Sequence, residues 1–280
     1  MNLDSIRASS ALKLDRLRAL IGETGGTLVA FSGGVDSTFV LAVAREVLGD
    51  RAVALTAHSP SVPATEREEA RELARAIGAR HVEVESREGD DPRYAANPID
   101  RCYYCKTELY RLCADQARRL GLASIVDGFN ADDRKDHRPG HQAALEGGIR
   151  SPLAEAGLGK LEVRAWSEAY GLPTWDKPQM ACLASRLPYG VAVTPERLGQ
   201  VERAEHGVRL LGFRNFRVRW HDAIGRVEVA EDEVATAFEK RAEIAAAVKA
   251  AGFKLAVLDL ESFRSGRLNE LAGVALPVLS

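Results

Sequence analysis

Thr27-Leu-Val-Ala-Phe-Ser-Gly-Gly-Val-Asp-Ser-Thr38 decides how this chain is read. An apolar strand signal runs directly into Ser32-Gly33-Gly34-Val35-Asp36-Ser37, and an amphipathic helix pattern follows at once. The two glycines admit dihedrals closed to other residues and let an anion approach the main chain closely. A helix that begins there aims unpaired N–H groups and its positive dipole end at that anion. Ser32, Ser37 and Thr38 add hydroxyl donors. Asp36 is a carboxylate in an anion site, which makes sense if it helps to hold Mg²⁺ or positions a nucleotide. The bland alternative is a tight strand-to-helix turn without a ligand. Glycines, hydroxyls and acid coinciding in a strand–helix context favour the phosphate cradle. The segment is not a Walker A loop, which needs a Lys before the Ser/Thr.

Composition bounds the rest. The chain has 280 residues, 46% hydrophobic and 28% charged, enough for one large core or two domains of a soluble globular protein. A formal net charge of −2 argues against generic capture of nucleic acid, so no nucleic-acid partner is expected. The N-terminus alternates Leu12, Leu17, Leu20 and Ile21 with Lys13, Arg16 and Arg18, which predicts an amphipathic helix rather than a signal peptide. No apolar run reaches membrane-spanning length, so no membrane partner is expected. The expected location is cytoplasmic and reducing, and disulfides are not the default reading of Cys102, Cys105, Cys113 and Cys182.

Short apolar strands are predicted at 28–31, 52–57, 81–85 and 124–127, with helices at 36–48, 64–78 and 103–120 between them. This alternation predicts an α/β fold with a parallel sheet covered by helices. Ligands of such sheets sit beyond the carboxyl ends of the strands, where the glycine loop lies. The polar loop 128–140 follows the fourth strand and is expected on the same face. A helix from Lys160 to about Tyr170 meets its stop signals at Gly171 and Pro173. Residues 174–193 form a long segment without periodicity, of the kind that is functional or a linker. Beyond it, a helix (194–211), strands (214–220 and 225–230), a helix (231–251) and a strand (254–260) predict a small α/β domain with an antiparallel pair. The expected organisation is a domain at 1–173, a functional linker at 174–193 and a second domain at 194–280.

Three further groups carry chemistry. Cys182 lies in Lys177-Pro-Gln-Met-Ala-Cys-Leu-Ala-Ser-Arg-Leu-Pro-Tyr-Gly190, with cationic Lys177 and Arg186 nearby. Cationic neighbours favour the nucleophilic thiolate, whereas a buried structural thiol is inert. Beside a phosphate cradle the reactive reading gains, because a carbon activated by a phosphate group needs an attacking group. Arg101-Cys-Tyr-Tyr-Cys-Lys106 offers a Cys-x-x-Cys pair that suits a metal, a redox couple or no joint role. Cys102, Cys105 and Cys182 would suit an iron–sulfur cluster better than a closed zinc site. Arg217 and Arg219 alternate on a strand and so share a face. They either clamp a phosphate or carboxylate, or form a solvated face paired to Glu228 and Glu205. Those two acids are also candidates for a divalent cation site.

The Ser32–Ser37 loop resembles the pyrophosphatase loop of the ATP-pyrophosphatase superfamily, with its adenine nucleotide alpha hydrolase-like, Rossmann-like domain. Over about residues 10–270 the chain resembles the LarE family of pyridinium-3,5-biscarboxylic acid mononucleotide sulfurtransferases of nickel-pincer cofactor synthesis. The resemblance rests on that loop, Asn97-Pro98, Arg101–Lys106, Asp127-Gly-Phe-Asn-Ala-Asp-Asp133, Arg138-Pro-Gly140 and Ser151-Pro-Leu153. It continues through Lys177-Pro178, Ala181-Cys-Leu-Ala-Ser-Arg186 and Arg217-Val-Arg219-Trp-His221. It implies that ATP adenylates a carboxylate of the pyridinium mononucleotide and that a thiolate then displaces AMP. In much of the family the sulfur comes from the enzyme's own cysteine, leaving dehydroalanine, and Cys182 matches that position. Some members are thought to use a [4Fe-4S] cluster on three cysteines instead. Ser32, Gly33, Gly34, Asp36, Ser37 and Thr38 would serve ATP and Mg²⁺, and Arg217 and Arg219 the substrate phosphate. Glu205 and Glu228 match nearby acids, and Lys106 and Lys177 are candidate bases for breaking the Cβ–S bond. A homo-oligomer is implied. Amide-forming synthetases and tRNA thiolases of the superfamily are the competing classes. The first lacks its glutaminase domain here, and the second lacks a basic appended domain.

Overall fold

The computed structural model describes residues 2–135, 139–178, 181–264 and 267. In chain order the elements are α1 (Leu3–Gly22), β1 (Thr27–Ala30), α2 (Val35–Leu48), β2 (Ala52–His58), α3 (Ala64–Ile77), β3 (Arg80–Glu85), α4 (Pro92–Ala95), α5 (Arg101–Leu120) and β4 (Ser124–Val126). They continue with α6 (Pro139–Glu146), α7 (Pro152–Ala156), α8 (Lys160–Ala169), α9 (Pro195–Leu210), β5 (Phe216–His221), β6 (Ile224–Val229), α10 (Val234–Glu239), α11 (Arg241–Ala250) and β7 (Leu255–Leu258). Arg138 of the expected motif, Gln179, Met180, Ser265, Gly266 and the last thirteen positions lie outside the described residues. Among the described residues, no helix is long and apolar enough to cross a membrane.

The chain divides into two compact units. The first holds a parallel sheet in the order β3-β2-β1-β4, with Thr27 of β1 aligned to Ala52 of β2 on one side and Ser124 of β4 on the other. Every β1 residue is buried, as a strand covered on both faces requires. Leu17 and Ile21 of α1, Phe39 and Val43 of α2 and Val163 of α8 pack into one core with Val29. Tyr110, Cys113 and Ala117 of α5 pack into another with Leu28 and Leu55. The chain winds from β1 to β2 to β3, then returns to place β4 on the other side of β1. Such a reversal is where open α/β sheets place their ligands, at the carboxyl ends of β1 and β4.

The second unit holds a three-stranded sheet, β5-β6-β7. Phe216 pairs with Val229 and His221 with Ile224 in the antiparallel half, and β7 runs parallel to β6. Residues 60–63 and 89–99 cluster with this unit although they precede the linker in sequence. Hydrogen bonds explain why. Leu183 N–H donates to Ser61 O (2.9 Å) and Val193 N–H to Ala95 O (2.8 Å). The Asn97 amide donates to the carbonyls of Pro188 (2.8 Å) and Val191 (2.9 Å). The boundary after the first unit falls at 180/181, inside the segment read as a linker.

Most predicted elements lie within a few residues of the sequence reading, but the short helices α4 and α7 were not expected, and two segments differ. The single helix expected over 231–251 is a 3-10 turn (Glu231–Glu233) followed by α10 and α11, parted at Lys240 with ψ 19°. The polar loop after β4 contains a 3-10 turn at Asp132–Lys135, and α6 begins at its end.

Gly225 of β6 lies against α11. A Cβ there would stand 2.5 Å from Val248 Cγ1 and 3.1 Å from Phe253 Cδ2. Gly225→Ala is expected to destabilise the chain by about 1–3 kcal/mol through overpacking. Urea unfolding of the full chain checks this.

Candidate functional site

The first group of site residues lies in the crevice between β1 and β4. Gly33 has φ +69°, which a side chain rarely adopts, and a Cβ on it would crowd Ala70 of α3 at 3.3 Å. Gly34 caps α2 in an extended conformation, with no side chain capping the helix. The first turn therefore keeps its N–H groups for a ligand. Ser37 Oγ accepts the Ser32 N–H (3.3 Å) and meets Ser32 Oγ at 3.1 Å, closing the loop on itself. Thr38 Oγ1 is buried and has no hydrogen-bond partner among the described residues, an orphan that a bound group would satisfy.

The β4 side closes the cradle. A Cβ on Gly128 would sit 2.7 Å from Ser37 N, so only glycine lets the two loops touch. Asp127, one residue earlier, accepts from Tyr110 Oη (2.9 Å), Ser151 Oγ (2.8 Å) and Phe129 N–H (3.1 Å). Burial first, and Asp127 second, push the Tyr110 phenol far above its ordinary value, so it stays a donor. Asp36 accepts from Asn130 Nδ2 (3.2 Å) and pairs with Lys160 Nζ (2.5 Å). Asp132 receives the Lys160 N–H (2.8 Å), which places that lysine at the start of α8. Lys177 Nζ reaches Gly33 O (3.3 Å) and Glu69 (2.6 Å), tying the 174–178 segment to the cradle. All these residues belong to the first unit.

Cys102 and Cys105 lie in the first turns of α5, one exposed and one half-buried. Cys113 is buried two turns on, and burial pushes its thiol up to about 12 despite Lys106. Among the described residues no three His, Cys, Asp or Glu side chains gather as a metal centre.

The second group lies in the second unit around Cys182, which is half-buried and opens the 3-10 turn Leu183–Arg186. Its carbonyl accepts from Ser185 N–H (2.9 Å), Ser185 Oγ (2.7 Å) and Arg186 Nη1 (3.1 Å). The segment is not a slack loop here. Leu183, Ala184 and Leu187 are buried and Arg186 is only 1% exposed. A guanidinium so deep persists only with a partner. Arg186 forks onto Glu205 of α9 at 2.8 and 3.0 Å. Glu205 also accepts the Val218 N–H (3.0 Å), between Arg217 and Arg219 on β5. Burial alone would raise the Glu205 carboxyl, but Arg186, Val218 and Arg217 together bring it below the usual carboxylate range. Arg219 returns the connection by donating to Ser185 O (2.9 Å). The Cys182 turn and the arginine strand are thus one hydrogen-bonded assembly.

Arg217 and Arg219 do share a face, but a buried one, 6% and 8% exposed. The face is covered by Phe263 and the Cys182 turn rather than solvated, yet the pairing to Glu205 and Glu228 named with the solvated-face alternative is present. Arg219 pairs with Glu228 (2.9 Å), which is fully buried and also binds Arg226 (2.8 Å). Both expected cation ligands, Glu205 and Glu228, therefore face guanidinium groups.

The family model described as asparagine synthase matches residues 27–109, from β1 into α5. An uncharacterised protein of Synechocystis is 46% identical over 261 residues, 92% of this chain and 97% of its own. The pyridinium-3,5-bisthiocarboxylic acid mononucleotide synthase of Lactiplantibacillus plantarum is 37% identical over 264 residues, 94% of this chain and 96% of its own. The chain belongs to the LarE family. An uncharacterised protein of Methanocaldococcus jannaschii is 25% identical over 238 residues, 85% of this chain and 90% of its own.

For this LarE-family chain, sequence reasoning missed Lys160 on Asp36, Ser185 as the hinge of the Cys182 turn, and the Tyr110–Asp127–Ser151 support. The rule that ligands lie beyond strand carboxyl ends marks Asp127 and Asn130. Nothing marks Lys160, which stands 124 positions from Asp36.

Glu205→Gln would leave Arg186 buried beside a neutral amide and is expected to cost about 3–5 kcal/mol. The Glu205 carboxyl is depressed on folding, so its contribution is complete above its unfolded value and disappears as pH falls through the lower folded one. The stability gap between wild type and Glu205→Gln should stay constant above about pH 5 and narrow below it. Urea unfolding of both proteins across that range reads the difference.

Proposed function

We propose that this LarE-family chain is an ATP-dependent sulfurtransferase that acts on pyridinium-3,5-biscarboxylic acid mononucleotide. The observation that carries this is the single assembly joining the Cys182 turn to the Arg217–Arg219 strand through Arg186, Glu205 and Ser185. A sulfur donor and an anion-holding strand are built as one piece. The name of the Lactiplantibacillus plantarum relative supports the product class.

In the first step a substrate carboxylate oxygen attacks the α-phosphorus of ATP, the Pα–O–Pβ bond breaks, and pyrophosphate leaves. The carboxylate, a poor electrophile, gains AMP as a leaving group. Ser32, Gly33, Gly34, Ser37 and Thr38 bind the polyphosphate with N–H and hydroxyl donors, and Asn130 orients Asp36. Asp36 would hold the Mg²⁺ that accompanies ATP, and the ion would offset charge on the phosphates.

In the second step the Cys182 thiolate attacks the acyl carbon and AMP leaves, forming a thioester. A base then takes the Cα proton of residue 182, the Cβ–S electron pair goes to sulfur, and the thiocarboxylate departs. Dehydroalanine remains, so each polypeptide works once.

Incubation with Mg·ATP and the mononucleotide is expected to remove one H₂S equivalent from the intact protein, mapped to Cys182 by peptide mass. Cys182→Ala should still release pyrophosphate but form no thiocarboxylate. Product formation by Cys182→Ala with added sulfide would sink the sacrificial reading. Absence of pyrophosphate release from wild type would sink the adenylation itself.

A further inference from the structure

We infer that Lys160 is a further catalytic residue of the adenylation: its ammonium leaves Asp36 when Mg·ATP binds and holds the β-phosphate of the departing pyrophosphate. This rests on the reading of residues 32–38 as the ATP cradle, with Asp36 as the Mg²⁺ ligand. The cradle's own donors are N–H groups and hydroxyls without formal charge, and its loop lacks the lysine of a Walker A sequence. Folding brings a lysine to the same place. Lys160 Nζ stands 2.5 Å from Asp36 Oδ2, and Asp36 lies in the first turn of α2 beside Ser37 and Thr38.

The loop after β4 holds the root of this lysine. Ala131 N–H donates to Leu158 O (2.8 Å), and Lys160 N–H donates to Asp132 Oδ2 (2.8 Å). A Cβ on Gly159 would stand 2.6 Å from that same oxygen, so glycine is what lets Asp132 reach the start of α8. Glu162 Oε2 accepts the Gly159 N–H (2.8 Å) and closes the first turn. The backbone of Lys160 is thus fixed, and its four-carbon stem is the part that moves. The side chain is 32% exposed, so packing does not lock the stem on Asp36.

Charge repulsion drives the move. Asp36 Oδ1 accepts from Asn130 Nδ2 (3.2 Å) and Oδ2 from Lys160, so both carboxylate oxygens are engaged in the protein alone. Mg²⁺ takes its oxygens at about 2.0–2.1 Å, and an ammonium on the same carboxylate oxygen repels it. Among the described residues Asp36 is the one carboxylate that pairs with the Lys160 ammonium. The triphosphate that arrives with the ion supplies the new partner. As the Pα–O–Pβ bond breaks, its electron pair goes to the bridging oxygen on Pβ. An ammonium there offsets the charge that develops, and no proton changes hands.

The test uses the full chain and calorimetric titration with Mg·ATP, Mg·pyrophosphate and AMP. Lys160→Met is expected to weaken Mg·ATP and Mg·pyrophosphate by roughly 10- to 100-fold, the range of a charge-assisted hydrogen bond, and to leave AMP unchanged. A lysine that only neutralised Asp36 predicts the opposite sign, since its removal would open the carboxylate to the ion and tighten both magnesium complexes. Lys160→Met also strands the Asp36 charge, so the comparison is repeated with metal-free ATP in an Asp36→Asn background, where no charge is stranded. Adding Lys160→Met to Asp36→Asn should again weaken ATP by roughly 10-fold or more. Unchanged or tighter polyphosphate binding in either background, or equal weakening of AMP, would overturn the assignment. Should wild type fail to bind Mg·ATP, or Asp36→Asn bind it as well as wild type, the cradle or the ion reading falls and takes this assignment with it.

Discussion

Burying the Arg186 guanidinium is the constraint on which the second unit depends. A charge at 1% exposure must be met by an opposite charge and by hydrogen-bond acceptors for its remaining donors. Glu205 supplies the charge, and the carbonyls of Ala181 and Cys182 supply acceptors. Meeting that demand fixes three things at once. It bends residues 181–186 into a turn, it fastens the turn to α9, and through Val218 it fastens α9 to β5. Cys182 is therefore presented by a rigid frame rather than by a free loop. A thiol held in such a frame has little freedom left to lose on meeting a partner.

In the first unit, closeness of two backbones plays the corresponding part. Gly33 supplies a left-handed turn, and Gly128 lets the loop after β4 lie against the first turn of α2. The contact brings Asn130 to Asp36 and sets the donors of the cradle beside the carboxylate. Lys160 balances that carboxylate in the protein alone. Charge is thus compensated in both units before any ligand arrives. Arginines answer Glu205 and Glu228 in one, and a lysine answers Asp36 in the other. The charged side chains stay folded and oriented at modest electrostatic cost.

The cradle was legible because its physics is local. A strand, two glycines, hydroxyls and a helix follow one another within twelve positions, and each residue type is required by what its immediate neighbours do. The parallel sheet was legible for a similar reason, since buried strands read as apolar runs between amphipathic helices. The buried state of Arg217 and Arg219 was not legible. Alternation on a strand shows that two side chains share a face, but not whether that face meets water or another segment. Here Phe263 and Ser185 cover it, from forty-six and thirty-four positions away respectively by residue number. The helix predicted across 231–251 illustrates a smaller loss. Helix-forming residues run through Lys240, yet its backbone leaves the helix (ψ 19°) and its side chain donates to Leu211 O (2.8 Å).

The sequence by itself determined the α/β class, the strand–glycine–helix turn at 27–38 and the resemblance to the LarE family. These rest on local backbone rules and on residue types at short spacing. Only the tertiary structure decided that residues 60–63 and 89–99 join the second unit, that Lys160 answers Asp36, and that Glu205 and Glu228 serve arginines. Each of those is a contact between charges or hydrogen-bonding groups far apart in the chain. Its partner is chosen by which elements pack together, and a side chain carries no mark of the partner that burial will assign to it.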